Sequence, residues 1–175
     1  MAFAGKILDI NLSTSTWKIL SLPRKLTRQY LGGRGYNVQF LFQNLSTTVD
    51  PLSPENLLLF SGGLLTGTAA PSSARLHINA RSPLTGILGS SNVGGGFGAT
   101  LRSCGIQSLI VRGKAPEPVY LWIDSDTLEI RNAKSIWGLD TWQTQEHLEN
   151  IFSSQKLKIM SIGPGVKTAR CLAAL

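Results

Sequence analysis

One succession of elements occurs twice in this sequence, and no other feature limits the fold as much. From Lys6 to Leu12, Ile7, Leu8, Ile10 and Leu12 stand around Asp9 and Asn11; the chain turns at Ser13-Thr14-Ser15 and returns from Trp17 to Leu20. That alternation predicts a hairpin. Tyr36, Val38, Phe40, Leu41, Phe42 and Leu45 then give a helix over 34–46 with a broad apolar face. A buried strand at 57–60 runs into a glycine turn at 61–63, and the strand Ala-Arg-Leu-His-Ile-Asn-Ala follows at 74–80. The order then begins again: hairpin 118–131 across Ser125-Asp126-Thr127, helix 141–152, strand 157–162, glycine turn 163–165, and Ala-Arg-Cys-Leu-Ala-Ala-Leu at 169–175. Ala74-Arg75 and Ala169-Arg170 occupy equivalent places. Coincidence is the competing explanation, since hairpins and helices are common.

Between the two units lie further signals. Pro23 to Arg28 reads as a short helical entry, and Asp50 to Asn56 as a loop, because proline disfavours helix in the residue before it. Arg81 to Gly86 is a turn. Ser90 to Gly98 is the densest glycine segment, Ala99 to Ser103 a turn or two of helix, and Gln107 to Val111 a strand. The first unit continues to that strand, whereas the second stops at Leu175 before any counterpart. An apolar end, Cys171-Leu-Ala-Ala-Leu175, is odd where termini usually fray in water. The expectation is one domain over 1–175, incomplete at its C-terminal end.

Composition narrows the class. The chain has 175 residues, 42% apolar and 15% charged, which suits one domain with a real core and excludes a self-repelling disordered chain. The net charge of +7 fits a nucleic acid, an anionic membrane or a phosphorylated ligand. The basic residues are scattered apart from Arg24-Lys25 and Arg28, with neither zinc-finger spacing nor an RNP-type motif, so nucleic acid is not the expected partner. No apolar run approaches the ~20 residues of a membrane span. No signal peptide is evident, and Cys104 and Cys171 stand far apart, as in a reducing cytoplasm. Two cysteines cannot supply the four thiolates of an iron–sulfur cluster.

The chemistry-bearing residues are few. His77 and His147, the two histidines, have no cysteine or carboxylate at ligand spacing, so no metal site is expected; His77 alternates with Leu76 and Ile78 and reads as a packed or surface histidine. No residue is a strong general acid or base, and no Gly-x-Ser-x-Gly elbow supports a triad. Gly32-Gly33-Arg34-Gly35 precedes a helix, where free amides and an arginine favour an anion. Asn92 with Gly94, Gly95 and Gly96 lets backbone approach a flat polar ligand closely. Tight turns between strands are the plainer explanation of each glycine segment. Neither segment is a Walker loop or a good Rossmann fingerprint.

Taken in order, Gly32-Gly-Arg-Gly35, Asp50-Pro-Leu-Ser-Pro-Glu-Asn56, Leu65-Thr-Gly67, Arg75, Ser82-Pro-Leu-Thr-Gly86, Ser91-Asn92, Gly94-Gly95 and Trp137-Gly138 resemble the N-terminal domain of the aldehyde:ferredoxin oxidoreductase family, from about Gly5 to Pro164. The resemblance implies an α+β fold with two mixed β-sheets related by an internal pseudo-twofold. It implies a bis-pterin dithiolene cofactor holding one tungsten or molybdenum, resting on this domain. The matching contact positions are Arg75, Asn92, Gly94 and Gly95, with Arg170 as the second unit's arginine. Magnesium bridging the pterin phosphates belongs to the same expectation. After Ile162-Gly163-Pro164 the family usually has Ala-Gly-Glu, where this chain has Gly165-Val166-Lys167, a departure just ahead of Arg170.

The implied activity is oxidation of aldehydes to carboxylic acids, with electrons passing to ferredoxin through a 4Fe-4S cluster held in other domains or on a separate chain. The chain alone is expected to be inactive; assembly into a homo-oligomer is a further expectation. Two rivals remain: a non-catalytic remnant or assembly module, and a subunit of a tungsten-dependent aromatic acyl-CoA reductase using the same cofactor.

Overall fold

The computed structural model describes residues 5–125, 127–152 and 157–164. The chain forms two compact units, 1–114 and 115–175.

The first unit carries a six-stranded mixed sheet. Its strands are β1 (Lys6–Asn11), β2 (Thr16–Ser21), β3 (Leu57–Gly62), β4 (Leu76–Arg81), β5 (Leu88–Val93) and β6 (Ile106–Arg112), in the spatial order β2-β1-β6-β3-β4-β5. Only the β1–β6 pair is parallel. Three helices belong to this unit: α1 (Arg24–Tyr30), α2 (Gly33–Asn44) and α3 (Phe97–Ser103). Pairing places Ile7, Ile110, Leu57 and Leu59 near α2, and Tyr36 and Leu41 of α2 join them in one core cluster with Leu22. The other sides of the central strands are also buried, through Leu8, Ile10, Phe60, Leu76, Leu109 and Val111. Strands buried on both faces read as apolar runs, which is why Leu57 to Phe60 stands out in the sequence.

Polar groups are buried with partners. Asp9 on β1, 4% exposed, takes a forked ion pair from Arg112 of β6, whose Nε lies 2.9 Å from Oδ1, and Lys18 approaches at 3.5 Å. The register sets this pair up, since Asp9 faces Ile110 and Asn11 faces Arg112. Burial first, and the Asp9 carboxylate second, hold the Tyr36 phenol above its usual pKa range.

The second unit holds the antiparallel hairpin of β7 (Val119–Ile123) and β8 (Leu128–Asn132), then α4 (Thr141–Ile151). A capping box starts α4: Asp140 accepts from the Gln143 amide, and the Gln143 side chain accepts from the Asp140 amide. Trp122 stacks on Phe152 with centroids 4.3 Å apart, and the Arg131 guanidinium lies 4.6 Å above the Trp122 ring.

The architecture is α+β, and hairpin then helix recurs in both units. Four local expectations need correction. β3 continues through Ser61-Gly62, so the turn begins later. β5 forms where no strand was expected, because its partner β4 supplies the ladder that the sequence Leu-Gly-Ser-Ser-Asn-Val does not advertise. α2 ends at Asn44 rather than 46. Residues 157–162 form no strand. The expected strand at 169–175, with Arg170, lies outside the described residues. No helix among the described residues is long and apolar enough to cross a membrane.

Candidate functional site

Four candidate residues converge through the β4–β5 pairing. Leu76 pairs with Val93 and His77 with Asn92. Continuing that register sets Arg75, just before β4, beside Gly94, just after β5. Arg75, Asn92, Gly94 and Gly95 are all exposed. Gly95 has φ +87, which a side chain rarely adopts, and a Cβ on either Gly94 or Gly95 would meet nothing within 4 Å. The backbone there fronts open space, so a flat ligand can approach without displacing protein. This donor set, with an arginine, a side-chain amide and bare backbone, suits an anionic, polar-edged group.

The backbone beneath is held firmly. Thr66, 4% exposed, donates from Oγ1 to the Arg75 carbonyl at 3.0 Å. Gly98 sits so close that an added Cβ would meet Thr66 Cγ2 at 3.3 Å and the Ala74 carbonyl at 3.4 Å. Arg102 donates to the Leu64 carbonyl at 2.7 Å and fixes the loop after β3.

On the other side of β4, Ser61 pairs with His77, and Gly63 bridges to Gly32. That bridge brings the start of α2 to the same end of the sheet. Burial first, then the charges of Arg34 and Arg75, hold the His77 imidazole below the ordinary pKa. Asn37 of α2 ties the helix to β4, donating to the His77 carbonyl at 3.2 Å and to Asn79 Oδ1 at 3.0 Å.

The site residues read from sequence thus divide. Arg75, Asn92, Gly94 and Gly95 come together, while Arg170 lies outside the described residues. His77 and Asn37 carry no motif and were not expected at the site, whereas Thr66 lies in the Leu65-Thr-Gly67 motif. Among the described residues, no group of three or more His, Cys, Asp or Glu side chains could hold a metal.

Comparison with known proteins follows the same lines. The family described as aldehyde ferredoxin oxidoreductase, N-terminal domain, matches residues 7–175. The chain is 40% identical over 171 residues to the tungsten-containing aldehyde ferredoxin oxidoreductase of Pyrococcus furiosus, covering 98% of this chain and 28% of that protein. The protein of the same description from Pyrococcus horikoshii is 41% identical over 160 residues, covering 91% of this chain and 26% of that one. Among solved structures, the active-site complex of benzoyl coenzyme A reductase with 1,5-dienoyl-CoA superposes with a TM-score of 0.85 and 35% identity, covering 87% of this chain and 23% of that chain. The chain therefore spans about a quarter of the length of these relatives.

Proposed function

The chain belongs to the aldehyde ferredoxin oxidoreductase family, as its N-terminal domain, and from that premise we propose that residues 1–175 serve as one cofactor-binding domain for a tungsten bis-pterin. The observation that carries this reading is the meeting of Arg75, Asn92, Gly94 and Gly95 at one end of the β4–β5 pair, in front of open space. Arg75 would hold a pterin phosphate, and Asn92 would meet the polar pterin edge with donor and acceptor. Gly94 and Gly95 would let the ring system lie against the backbone. Arg170 and a magnesium ion between the phosphates complete the proposal.

Bound there, the metal–pterin group supplies the two-electron redox chemistry; this chain's residues orient it and balance its charge. The reaction we favour is aldehyde to carboxylic acid. Electrons then leave to ferredoxin through a 4Fe-4S cluster on other domains or another chain. The likeness to benzoyl coenzyme A reductase supports a second reading, in which the same base serves an aromatic acyl-CoA reductase. Both readings share the cofactor.

Tungsten, molybdenum and pterin analysis of the purified chain tests the shared part. Near-stoichiometric metal and pterin are expected, and Arg75→Ala should lose most of both while remaining folded. Full cofactor retention by that variant would remove Arg75 from the site.

A further inference from the structure

Buried Thr66 is the point where three parts of the chain meet. Its amide donates to the Gly63 carbonyl at 3.1 Å, which closes the turn after β3. Its hydroxyl donates to the Arg75 carbonyl at 3.0 Å, ahead of β4. Its methyl faces Gly98 in the first turn of α3, where an added Cβ would stand 3.3 Å from Thr66 Cγ2. Gly98 also lies against the chain beside Arg75, since the same Cβ would meet the Ala74 carbonyl and Leu76 Cβ, each at 3.4 Å. A Cβ on Gly62 would meet Thr66 Cβ and Cγ2 at 3.1 Å, so the side chain is held on that flank too. The next residue, Gly67 with φ +71, lies against α3 as well: a Cβ there would meet Ala99 Cα and Arg102 Cδ at 3.3 Å.

These contacts use different parts of one side chain. In threonine the hydroxyl and the methyl hang from the same carbon, and χ1 is stiff, so fixing one fixes the other. The hydroxyl is bonded to the residue that supplies the charge of the candidate site, Arg75. The methyl seats the helix that directly follows the bare backbone of residues 94–96. The β4–β5 ladder stops at Leu76 and Val93, one residue short of both Arg75 and Gly94. Beyond that point their spacing depends on what lies beneath them. Thr66 is bonded to one segment and packed on the helix that ends the other.

We propose that Thr66 is a positioning residue for the cofactor, acting through its neighbours by setting the spacing between Arg75 and the backbone of residues 94–96. This rests on the cofactor reading above. A group held by its anionic end on one segment and by its flat ring on another needs both within a fraction of an ångström of their places. The Leu65-Thr-Gly67 motif thereby gains a physical task at the site.

The test compares Thr66→Val, which keeps the branched shape and loses the donor, with Thr66→Ser, which keeps the donor. Chain purified with tungsten and pterin is followed by cofactor release, and cofactor-free chain by its backbone amide shifts. Thr66→Val should release metal and pterin about tenfold faster than wild type, the scale of one lost buried hydrogen bond, while Thr66→Ser stays within about threefold. Without cofactor, Thr66→Val should shift the Arg75 and Leu76 amides, and Thr66→Ser those of Gly96 and Gly98. Gly98→Ala crowds Thr66 Cγ2 from the α3 side and should speed release with Thr66 itself intact. A thermal melt separates position from stability, because a merely structural threonine would lower the midpoint in step with release in both Thr66 variants. Release from Thr66→Val or from Gly98→Ala at the wild-type rate overturns the proposal. So do unmoved Arg75 and Leu76 amides in Thr66→Val, or equal release from both Thr66 variants that tracks their midpoints. Wild type carrying neither metal nor pterin overturns the cofactor reading and this proposal with it. Wild type that loads and Arg75→Ala that loses its load, beside an unchanged Thr66→Val, overturn this proposal alone.

Discussion

Asn37 is the residue through which the helix that opens the site is tied to the sheet, and replacing it gives the sharpest test of the packing argument. Its side chain is fully buried on α2 and donates to Asn79 Oδ1 at 3.0 Å, to the His77 carbonyl at 3.2 Å and, at 3.5 Å, to the Leu59 carbonyl. Asn79, 1% exposed, passes the chain on by donating to the Gly89 carbonyl of β5 at 3.2 Å. Asn37→Ala strands Asn79 Oδ1 without a donor, at roughly 1–3 kcal/mol. It also leaves a small void under α2. One effect opposes these: Asn37 Oδ1 is itself buried without a partner, and the substitution removes it. The net expectation is a loss of about 2 kcal/mol, a large part of a typical domain's ~5–15 kcal/mol. Urea unfolding measures it. Asn44→Ala is the control, because that amide also bonds a carbonyl, Phe40 at 2.8 Å, but in an exposed place. It should cost below ~0.5 kcal/mol. Asn79→Ala completes a cycle, and the double variant should lose about 1 kcal/mol less than the sum of the singles. Equal costs for Asn37→Ala and Asn44→Ala, with additive behaviour in the cycle, would refute the claim that this buried chain of amides holds α2 to β4.

Two further outcomes follow from local features. Asp140→Ala removes half of the α4 capping box and should lower stability by about 1 kcal/mol, read as a fall in the thermal midpoint. For His77, the folded-state pKa lies below the ordinary 6.5, so the unfolded chain binds the proton more tightly. Stability should therefore fall as pH drops below about 6.5 and level off once the imidazole is protonated in both states. Denaturant unfolding at pH 7.5 and 5.5 should show that limb in wild type and a smaller one in His77→Gln; an identical pH dependence would remove His77 as its source.

Legibility in the sequence followed burial pattern. β1, β3 and β6 carry apolar runs or alternation because the sheet buries them on one or both sides, and α2 carries Tyr36 and Leu41 at the spacing that meets Leu57, Leu59 and Ile110. β5 is largely exposed, so no apolar periodicity marks it, and only its hydrogen-bonding partner makes it a strand. Residues 157–162 show the reverse. Their apolar content predicts a strand, but no ladder partner is present among the described residues, and apolar content alone does not make a strand. Arg75, Gly94 and Gly95 were legible for another reason. Their chemistry is local, a charge or a bare backbone, and needs no partner to be read. Gln107 takes its place from the Gly62 and Gly63 carbonyls, 45 and 44 residues away, and His77 feels Arg34 of α2 as well as its near neighbour Arg75; no local pattern encodes the distant partners.

The sheet's pairing explains why these distant residues share one place. β3 runs antiparallel to both β4 and β6, and β4 antiparallel to β5. The end of β3, the start of β4, the end of β5 and the start of β6 must then lie at one end of the sheet. The bridge from Gly63 to Gly32 adds the start of α2. Register matters as much as direction. His77 and Asn92 share a side of the sheet with Asn79, which α2 grips, because each is an even number of residues from it or is paired with one that is. A slip of one residue between β4 and β5 would carry Asn92 to the opposite face while leaving every strand intact. The buried Asn37–Asn79–Gly89 chain opposes that slip, since Asn79 reaches the Gly89 carbonyl in the observed register alone. The polar residues under α2 therefore act on the candidate site through the register they hold.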